Sequence, residues 1–160
     1  MILYLLRHGE AEARSHTDAS RQLTAKGKLD IEQVAKQFAA RNIRLDRCFA
    51  SPYDRAGQTA ALFLHHAGLS TAIEIVEVLT PEIRASKVMD FLKGVQDQHV
   101  LLVSHNPLLS ELHALLTDGN ITSMQILGTS ELVCVALDVI GLGMGTTPFR
   151  LVPEGLLYHA

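Results

Sequence analysis

The sequence contains no tryptophan, and aromatic residues make up only 5% of its 160 positions. No apolar run approaches the roughly 20 residues that a membrane-spanning helix needs. No basic residues precede the apolar start 1–6, as they would in a signal peptide. The formal net charge is −3, whereas nucleic-acid binders usually carry a basic face. We therefore expect neither a membrane span nor a nucleic-acid partner, and we expect the protein to act in the cytoplasm.

Only two cysteines occur, Cys48 and Cys134, and each lies alone within a strand-like run. Such isolated residues predict buried free thiols rather than a disulfide or a metal site. The chain also lacks the His-Glu-x-x-His pattern of zinc enzymes and the Gly-x-x-x-x-Gly-Lys loop that binds nucleotide triphosphates. We expect no metal ion and no cofactor.

What the chain does have is a regular alternation of strand-like and helix-like segments, in a length that suits one domain over residues 1–160. Strands are predicted at 2–6, 47–50, 73–78, 99–104, 131–140 and 149–152, and helices at 24–40, 51–67, 86–93 and from 107 onward. The most apolar strand, 99–104, is expected at the centre of the sheet. This pattern predicts an α/β fold, a three-layer α/β/α sandwich with a mostly parallel central sheet.

Residues with capping chemistry mark the predicted helix ends. Thr24 is expected to cap the first long helix. The run 51–54 combines a serine hydroxyl, a proline suited to the first helical position and an acidic residue three positions after the cap. Gly68 is expected to end that helix in the left-handed conformation. Asn106 is expected to cap the helix that Pro107 opens.

Two histidines and two arginines follow the ends of three predicted strands, namely Arg7, His8, Arg55 and His105. In open α/β sheets, sites form in the crevice outside the carboxyl ends of the strands. We therefore expect these four side chains to face one crevice. Two arginines beside two imidazoles indicate that the crevice binds a phosphate group.

A phosphoryl group in this crevice would meet groups suited to its transfer. Arg7 and Arg55 can make paired, charge-assisted hydrogen bonds to its oxygens, which carry negative charge in the transition state. A protonated or hydrogen-bonded His105 can supply a further donor. A neutral His8 can attack phosphorus if its second nitrogen donates to a partner, which we expect to be a nearby backbone carbonyl. The two arginines are expected to lower the pKa of His8. The spacing alone leaves open whether His8 acts as nucleophile or base.

Three segments resemble the motifs of the histidine phosphatase superfamily, which includes the cofactor-dependent phosphoglycerate mutases. Residues 6–10 resemble its Arg-His-Gly signature, residues 51–60 its second motif and residues 103–107 its third. The resemblance covers nearly the whole chain and implies a phosphoglycerate mutase-like fold. It also implies that His8 is transiently phosphorylated. The implied phosphate pocket consists of Arg7, Arg55 and His105.

Two further segments, together with the small size, resemble the SixA group of protein-phosphohistidine phosphatases within that superfamily. Residues 20–27 are similar to the group's Arg-Pro-Leu-Thr-x-x-Gly stretch, and residues 79–81 to its Leu-Thr-Pro segment. Gln22 stands where the group usually has proline, which we expect to alter the loop that carries Arg21. The resemblance makes Arg21 a candidate phosphate ligand.

The general acid is open to more than one interpretation. Glu82 follows Pro81 at a point comparable to a glutamate that many relatives carry, but an acidic residue near a helix start equally fits a structural role. Glu10, beside His8, is a further candidate. An imidazole leaving group has a pKa of about 6.5 and can depart with little help. A phosphohistidine phosphatase can therefore work with a weak or absent acid.

The function implied by the resemblance is hydrolysis of phosphohistidine on a signalling or phosphorelay protein, through a covalent phosphohistidine intermediate. The short connections between motifs indicate an open pocket that can admit a histidine on a phosphotransfer domain. One alternative is a small-molecule phosphomonoesterase or mutase of the same fold. A second alternative is a non-catalytic phosphate-binding module, against which the complete set of histidines and arginines argues.

Overall fold

Seven strands form one mixed sheet in the computed structural model, which describes residues 1–154. The strands are β1 (Ile2–Arg7), β2 (Arg47–Ala50), β3 (Ile73–Ile75), β4 (His99–Ser104), β5 (Leu132–Leu137), β6 (Gly145–Thr146) and β7 (Arg150–Leu151). The helices are α1 (Ala25–Ala39), α2 (Asp54–Ala67), α3 (Ala85–Lys93) and α4 (Leu108–Thr117). The order across the sheet is β3-β2-β4-β1-β5-β6, with β7 also paired to β5.

The sheet lies between two layers of helices. Strands β3, β2, β4 and β1 run parallel, and β5 pairs antiparallel with β1, β6 and β7. Because successive strand residues face opposite sides, Tyr4 and Leu6 pack with α1 and α2, whereas Leu3 and Leu5 pack with α3 and α4. The predicted three-layer α/β/α sandwich is confirmed. Strand β4 lies between β2 and β1, as predicted for the most apolar strand.

Three predicted strands are shorter than the sequence suggested. The strand predicted at 73–78 ends at Ile75, because Glu77–Leu79 turns into a short 3₁₀ helix that buries Leu79. The carbonyl of Leu79 then accepts a 2.6 Å hydrogen bond from the Ser104 hydroxyl at the end of β4. The segments predicted at 131–140 and 149–152 reduce to Leu132–Leu137 and Arg150–Leu151, and the short strand β6 between them was not predicted.

Two of the four predicted caps are correct. Thr24 accepts a hydrogen bond from the backbone N–H of Gly27, and Gly68 ends α2 with a φ of 69°. The cap predicted at Ser51 is wrong, because α2 begins at Asp54 and its N-cap is Tyr53. The Ser51 hydroxyl accepts from the backbone N–H of Tyr53 over 3.2 Å and is also bonded to His105. The cap predicted at Asn106 is also wrong, because its side-chain amide donates to the carbonyl of Leu127, 2.7 Å away.

Three other expectations concern the chain as a whole. Cys48 and Cys134 are buried free thiols, as predicted, and burial raises the pKa of Cys48 to about 12. No helix within residues 1–154 combines the length and the apolar character needed to cross a membrane. The single domain over residues 1–160 stays a prediction, and its last six residues lie outside the described part.

Close approach of two backbones fixes the loop that follows β1. Glu10 accepts a 2.9 Å hydrogen bond through its carbonyl from the backbone N–H of Thr24, at the start of α1. Gly27, in the first turn of α1, lies directly against the backbone of Glu10, and a Cβ there would collide with the Glu10 carbonyl oxygen. The contact with Gly27 therefore holds Glu10, and with it the loop after β1, against α1.

We expect Gly27→Ala to destabilise the protein and Gly57→Ala to stabilise it. Both glycines lie in helices, where alanine is favoured by about 0.5–1 kcal/mol. A Cβ at Gly57 meets no atom within 4 Å, so that gain should appear in full. At Gly27 the collision should reverse it, with a net loss of about 1–3 kcal/mol. Urea unfolding of both variants measures the difference, and equal stabilisation by the two substitutions would contradict the close contact.

Candidate active site

The parallel strands bring their carboxyl ends to one edge of the sheet. Arg7, the last residue of β1, pairs with Ser104, the last residue of β4. The backbone N–H of His8 donates to the carbonyl of Ser104 over 3.0 Å, so His8 and His105 leave adjacent strands side by side. Their ring centroids are 5.1 Å apart. Arg55 reaches the same place from the first turn of α2, after β2.

His8 is held in the tautomer that a nucleophile needs. Its Nδ1 lies 2.7 Å from the carbonyl oxygen of Gly9, and because a carbonyl can only accept, Nδ1 carries the proton. Nε2 therefore presents a lone pair. The predicted backbone partner of His8 is thus the carbonyl of the next residue.

Burial keeps His8 neutral. The residue is only 8% exposed, and burial lowers its pKa to about 4, with the charges of Arg55 and Arg7 adding to the effect. The sequence predicted the direction of this shift and the role of the arginines. It did not predict that desolvation would be the larger cause.

Arg55 is buried and directed at His8. Its Nε donates to Nε2 of His8 over 3.3 Å. Its two terminal nitrogens donate to Asp18, one to the backbone carbonyl at 2.7 Å and the other to the carboxylate at 3.2 Å. Asp18 was not predicted as a site residue, because nothing in its polar surroundings in the sequence signals a contact with α2.

Arg7 reaches the site from the end of β1. One terminal nitrogen donates to the carbonyl of Leu127 over 2.7 Å. Its Nε is buried and has no hydrogen-bond partner, as is also true of Nδ1 of His105. Buried donors are seldom left unpaired, because an unmade hydrogen bond costs about 1–3 kcal/mol. Within residues 1–154, two of the three such side-chain atoms belong to predicted site residues. This favours a site built to receive an acceptor-rich ligand.

His105 is 1% exposed, and its Nε2 lies 2.8 Å from the hydroxyl of Ser51. Burial lowers its pKa to about 3, with His8 and Arg55 contributing. The ring is therefore neutral at pH 7 and can offer one N–H, so a protonated His105 is not the donor that the structure favours. The ring of Tyr53 packs edge-on against it at 5.0 Å. The sequence did not predict this contact of Ser51, which it assigned as a helix cap.

Arg21 is connected to the other predicted site residues through Asp18. Its Nε donates to the carbonyl of Glu12 over 2.6 Å, and one terminal nitrogen forms a 2.9 Å ion pair with the Asp18 carboxylate. The structure thus connects Arg21 to Arg55 through Asp18. Arg21 makes no hydrogen bond to either site histidine within the described residues.

The two candidate acids differ in position. Glu82 is exposed on the turn after Leu79. Burial raises the pKa of Tyr53, whose ring packs against His105, and the charge of Glu82 adds to that effect. Glu10 accepts a 3.0 Å hydrogen bond from the Thr24 hydroxyl and is engaged at the start of α1. Of the two, Glu82 has the freer carboxylate. Residues 1–154 contain no cluster of three or more side chains suited to hold a metal ion.

Comparison with known proteins identifies the family to which the chain belongs. The family model for the histidine phosphatase superfamily (branch 1) matches residues 3–80, a span that includes His8 and Arg55. Phosphohistidine phosphatase SixA from Escherichia coli K12 is 30% identical over 146 residues, which cover 89% of each chain. The chain belongs to the histidine phosphatase superfamily.

Within the superfamily, the similar proteins carry one recurring name. A phosphohistidine phosphatase SixA homolog from Haemophilus influenzae is 35% identical over 128 residues, which cover 71% of this chain and 76% of the relative. A solved structure of the protein histidine phosphatase SixA complexed with tungstate superposes with a TM-score of 0.87 at 28% identity. It covers 96% of this chain and 97% of the other. The predicted phosphoglycerate mutase-like fold is thereby confirmed.

The low pKa values of the two site histidines predict how stability depends on pH. Both bind a proton less readily in the folded protein than in the unfolded chain, where a histidine pKa is about 6.5. The free energy of unfolding should therefore fall as the pH drops below about 6.5, by up to about 1.4 kcal/mol per pH unit for each histidine. The fall should end near pKa values of about 4 for His8 and about 3 for His105.

Urea unfolding between about pH 7 and about pH 5 measures this slope. His113, whose pKa is also lowered by burial, contributes to the same trend, so a comparison with His105→Gln isolates one histidine. That variant should show a shallower slope than the native protein. Equal slopes for the native protein and His105→Gln would mean that His105 titrates normally.

Proposed function

We propose that this protein hydrolyses phosphohistidine on a signalling or phosphorelay protein, through a phosphoryl group carried transiently by His8. The observation that carries the proposal is the orientation of His8. Its Nδ1–H donates to the Gly9 carbonyl, and its Nε2 faces the guanidinium of Arg55. A neutral imidazole whose unprotonated nitrogen lies beside a buried cation is a nucleophile for an anionic phosphorus centre.

In the first step, Nε2 of His8 attacks the phosphorus of the substrate phosphohistidine. The new P–N bond forms as the old one breaks, and the substrate ring, protonated from solvent on its other nitrogen, departs as neutral imidazole. The charge on the equatorial oxygens is spread in the transition state. We propose that Arg7, Arg55 and the N–H of His105 bind these oxygens. Arg21 would contribute indirectly, through its ion pair with Asp18.

In the second step, water attacks the phosphorylated His8. The P–N bond to Nε2 breaks, inorganic phosphate leaves, and His8 returns to its neutral form. The low pKa of His8, about 4, supports this role, because the ring is a nucleophile before attack and a good leaving group afterwards. No cofactor takes part in either step.

The choice of substrate is supported by the leaving group and by the relatives. The names of the two similar curated proteins state phosphohistidine phosphatase, and the substrate's imidazole can depart without a strong general acid. The exposed position of Glu82 fits an assisting acid rather than an essential one. The compartment we propose is the cytoplasm, and the buried unpaired thiols Cys48 and Cys134 support it.

Rapid mixing with a protein carrying ³²P-labelled phosphohistidine should reveal labelled enzyme. The label should resist base and be lost in acid, as expected for a phosphorus–nitrogen bond. His8→Ala should abolish the labelled species and the release of phosphate, and the exposed-surface control His65→Ala should retain both. Phosphate release at the native rate by His8→Ala would contradict the covalent mechanism.

Glu82→Gln distinguishes phosphohistidine from alkyl phosphate esters as the preferred substrate. An alkoxide leaving group needs a proton donor, which contributes about 10²–10⁴-fold. We therefore expect hydrolysis of an alkyl phosphate to slow by about a hundredfold, with the rate on a phosphohistidine protein nearly unchanged. Glu77→Gln is the matched control, because the charge of Glu77 also acts on Tyr53. Equal losses on both substrates would favour the small-molecule phosphomonoesterase.

A further inference from the structure

We propose that Asp18 is a positioning residue for phosphoryl transfer, which holds the guanidiniums of Arg55 and Arg21 in the orientation that the reaction uses. This inference rests on the proposed function. The nitrogens of Arg55 have different hydrogen-bond partners. The two terminal nitrogens are bonded to Asp18, and Nε is bonded to the nucleophilic nitrogen of His8. One edge of the guanidinium is thus anchored, and the other faces the site of attack.

The carboxylate of Asp18 joins two arginines. One oxygen lies 3.2 Å from Arg55 and the other lies 2.9 Å from Arg21. The hydrogen bond from Arg21 is the largest cause that lowers the pKa of Asp18. Because like charges repel, two guanidiniums close together need an anion between them to keep fixed positions. Asp18 supplies that anion.

The loop is built to hold Asp18 in place. Thr17 and Ser20 form a capping box, in which the Thr17 hydroxyl accepts from the backbone N–H of Ser20 and the Ser20 hydroxyl accepts from the backbone N–H of Thr17. Ser15 adds a 2.7 Å hydrogen bond to the Ser20 hydroxyl. These bonds fix the short 3₁₀ turn that begins at Asp18, so its carbonyl has a defined direction.

A second set of bonds ties this loop to α2, the helix that carries Arg55. Gln22 donates to the Asp54 carboxylate over 2.7 Å and to the carbonyl of Ser20 over 2.9 Å. It also accepts a hydrogen bond from the side chain of Gln58, whose own oxygen accepts from the backbone N–H of Leu23 over 3.0 Å. Gln22, which stands in place of the proline usual in the SixA group, therefore helps to register Asp18 against Arg55.

These contacts predict opposite effects on turnover and on anion binding. Loss of the Asp18 charge should let both guanidiniums leave their fixed positions. A misplaced donor raises the free energy of the transition state more than it weakens ground-state binding. Removal of a negative charge near a dianion site should instead favour phosphate. For Asp18→Asn we expect kcat on a phosphohistidine protein to fall by about tenfold. The Kd for inorganic phosphate should stay unchanged or fall by about threefold.

Asp90→Asn is the matched control. It removes the same charge from an exposed carboxylate that pairs with Lys93 and contacts neither arginine. We expect its kcat to stay within about twofold of the native value. Asp18→Glu keeps the charge and changes the reach, so it should lose kcat without gaining phosphate affinity. If Asp18→Asn does not fold, as judged by circular dichroism, Asp18→Glu provides the comparison.

The two readouts separate this inference from the proposed function. Phosphate affinity is measured by calorimetry and needs no turnover. If the native protein binds phosphate but hydrolyses no phosphohistidine protein, the proposed function is contradicted. For Asp18 itself, a loss of kcat with phosphate affinity retained or improved supports positioning. An unchanged kcat, or parallel losses of kcat and phosphate affinity, would overturn it.

Discussion

The hydrogen bond from Nδ1 of His8 to the carbonyl of Gly9 is the constraint on which the proposed chemistry depends. Without it the imidazole could rotate or take the other tautomer, and Nε2 would no longer present a lone pair beside Arg55. Gly9 is itself fixed, because its N–H donates to the Thr59 hydroxyl over 3.1 Å, and that hydroxyl donates to the carbonyl of Arg55 over 2.7 Å. The loop that holds His8 and the helix that carries Arg55 are thus connected through Thr59.

The electrostatics of the site follow from burial as much as from charge. Desolvation is the largest cause that lowers the pKa of His8 and of His105. Neutral imidazoles beside arginines allow the site to attract an anion without protonating its own nucleophile. Arg7 enters with a buried Nε that has no protein partner in the described chain. A phosphoryl oxygen is the kind of acceptor that would satisfy it.

The sequence was enough to predict where these residues meet. Arg7, His8 and His105 each follow a predicted strand, and parallel strands must bring their carboxyl ends to one edge. That argument required only the pattern of apolar segments and the rule for sites in α/β sheets. The amphipathic helix after Thr24 and the cap at Gly68 were also predictable, because both depend on neighbours within a few positions.

The features that the sequence did not reveal all depend on contacts between distant segments. Ser51 has the sequence context of a helix cap, but a histidine 54 positions away takes its hydroxyl. Asp18 approaches Arg55 only because the loop folds back onto α2. Gly27 has no local reason to be glycine in a helix interior, and its reason is the backbone of Glu10. Local patterns cannot predict such tertiary partners, because many arrangements satisfy the same periodicity.

The most direct test of the central claim is a crystal structure of the protein with bound tungstate, the anion present in the similar SixA structure. The account predicts one tungstate within bonding reach of Nε2 of His8, with hydrogen bonds from Arg55, His105 and the Nε of Arg7. His8 should keep its bond to the Gly9 carbonyl. A tungstate bound elsewhere, or a His8 ring turned so that Nε2 faces away from the anion, would contradict it.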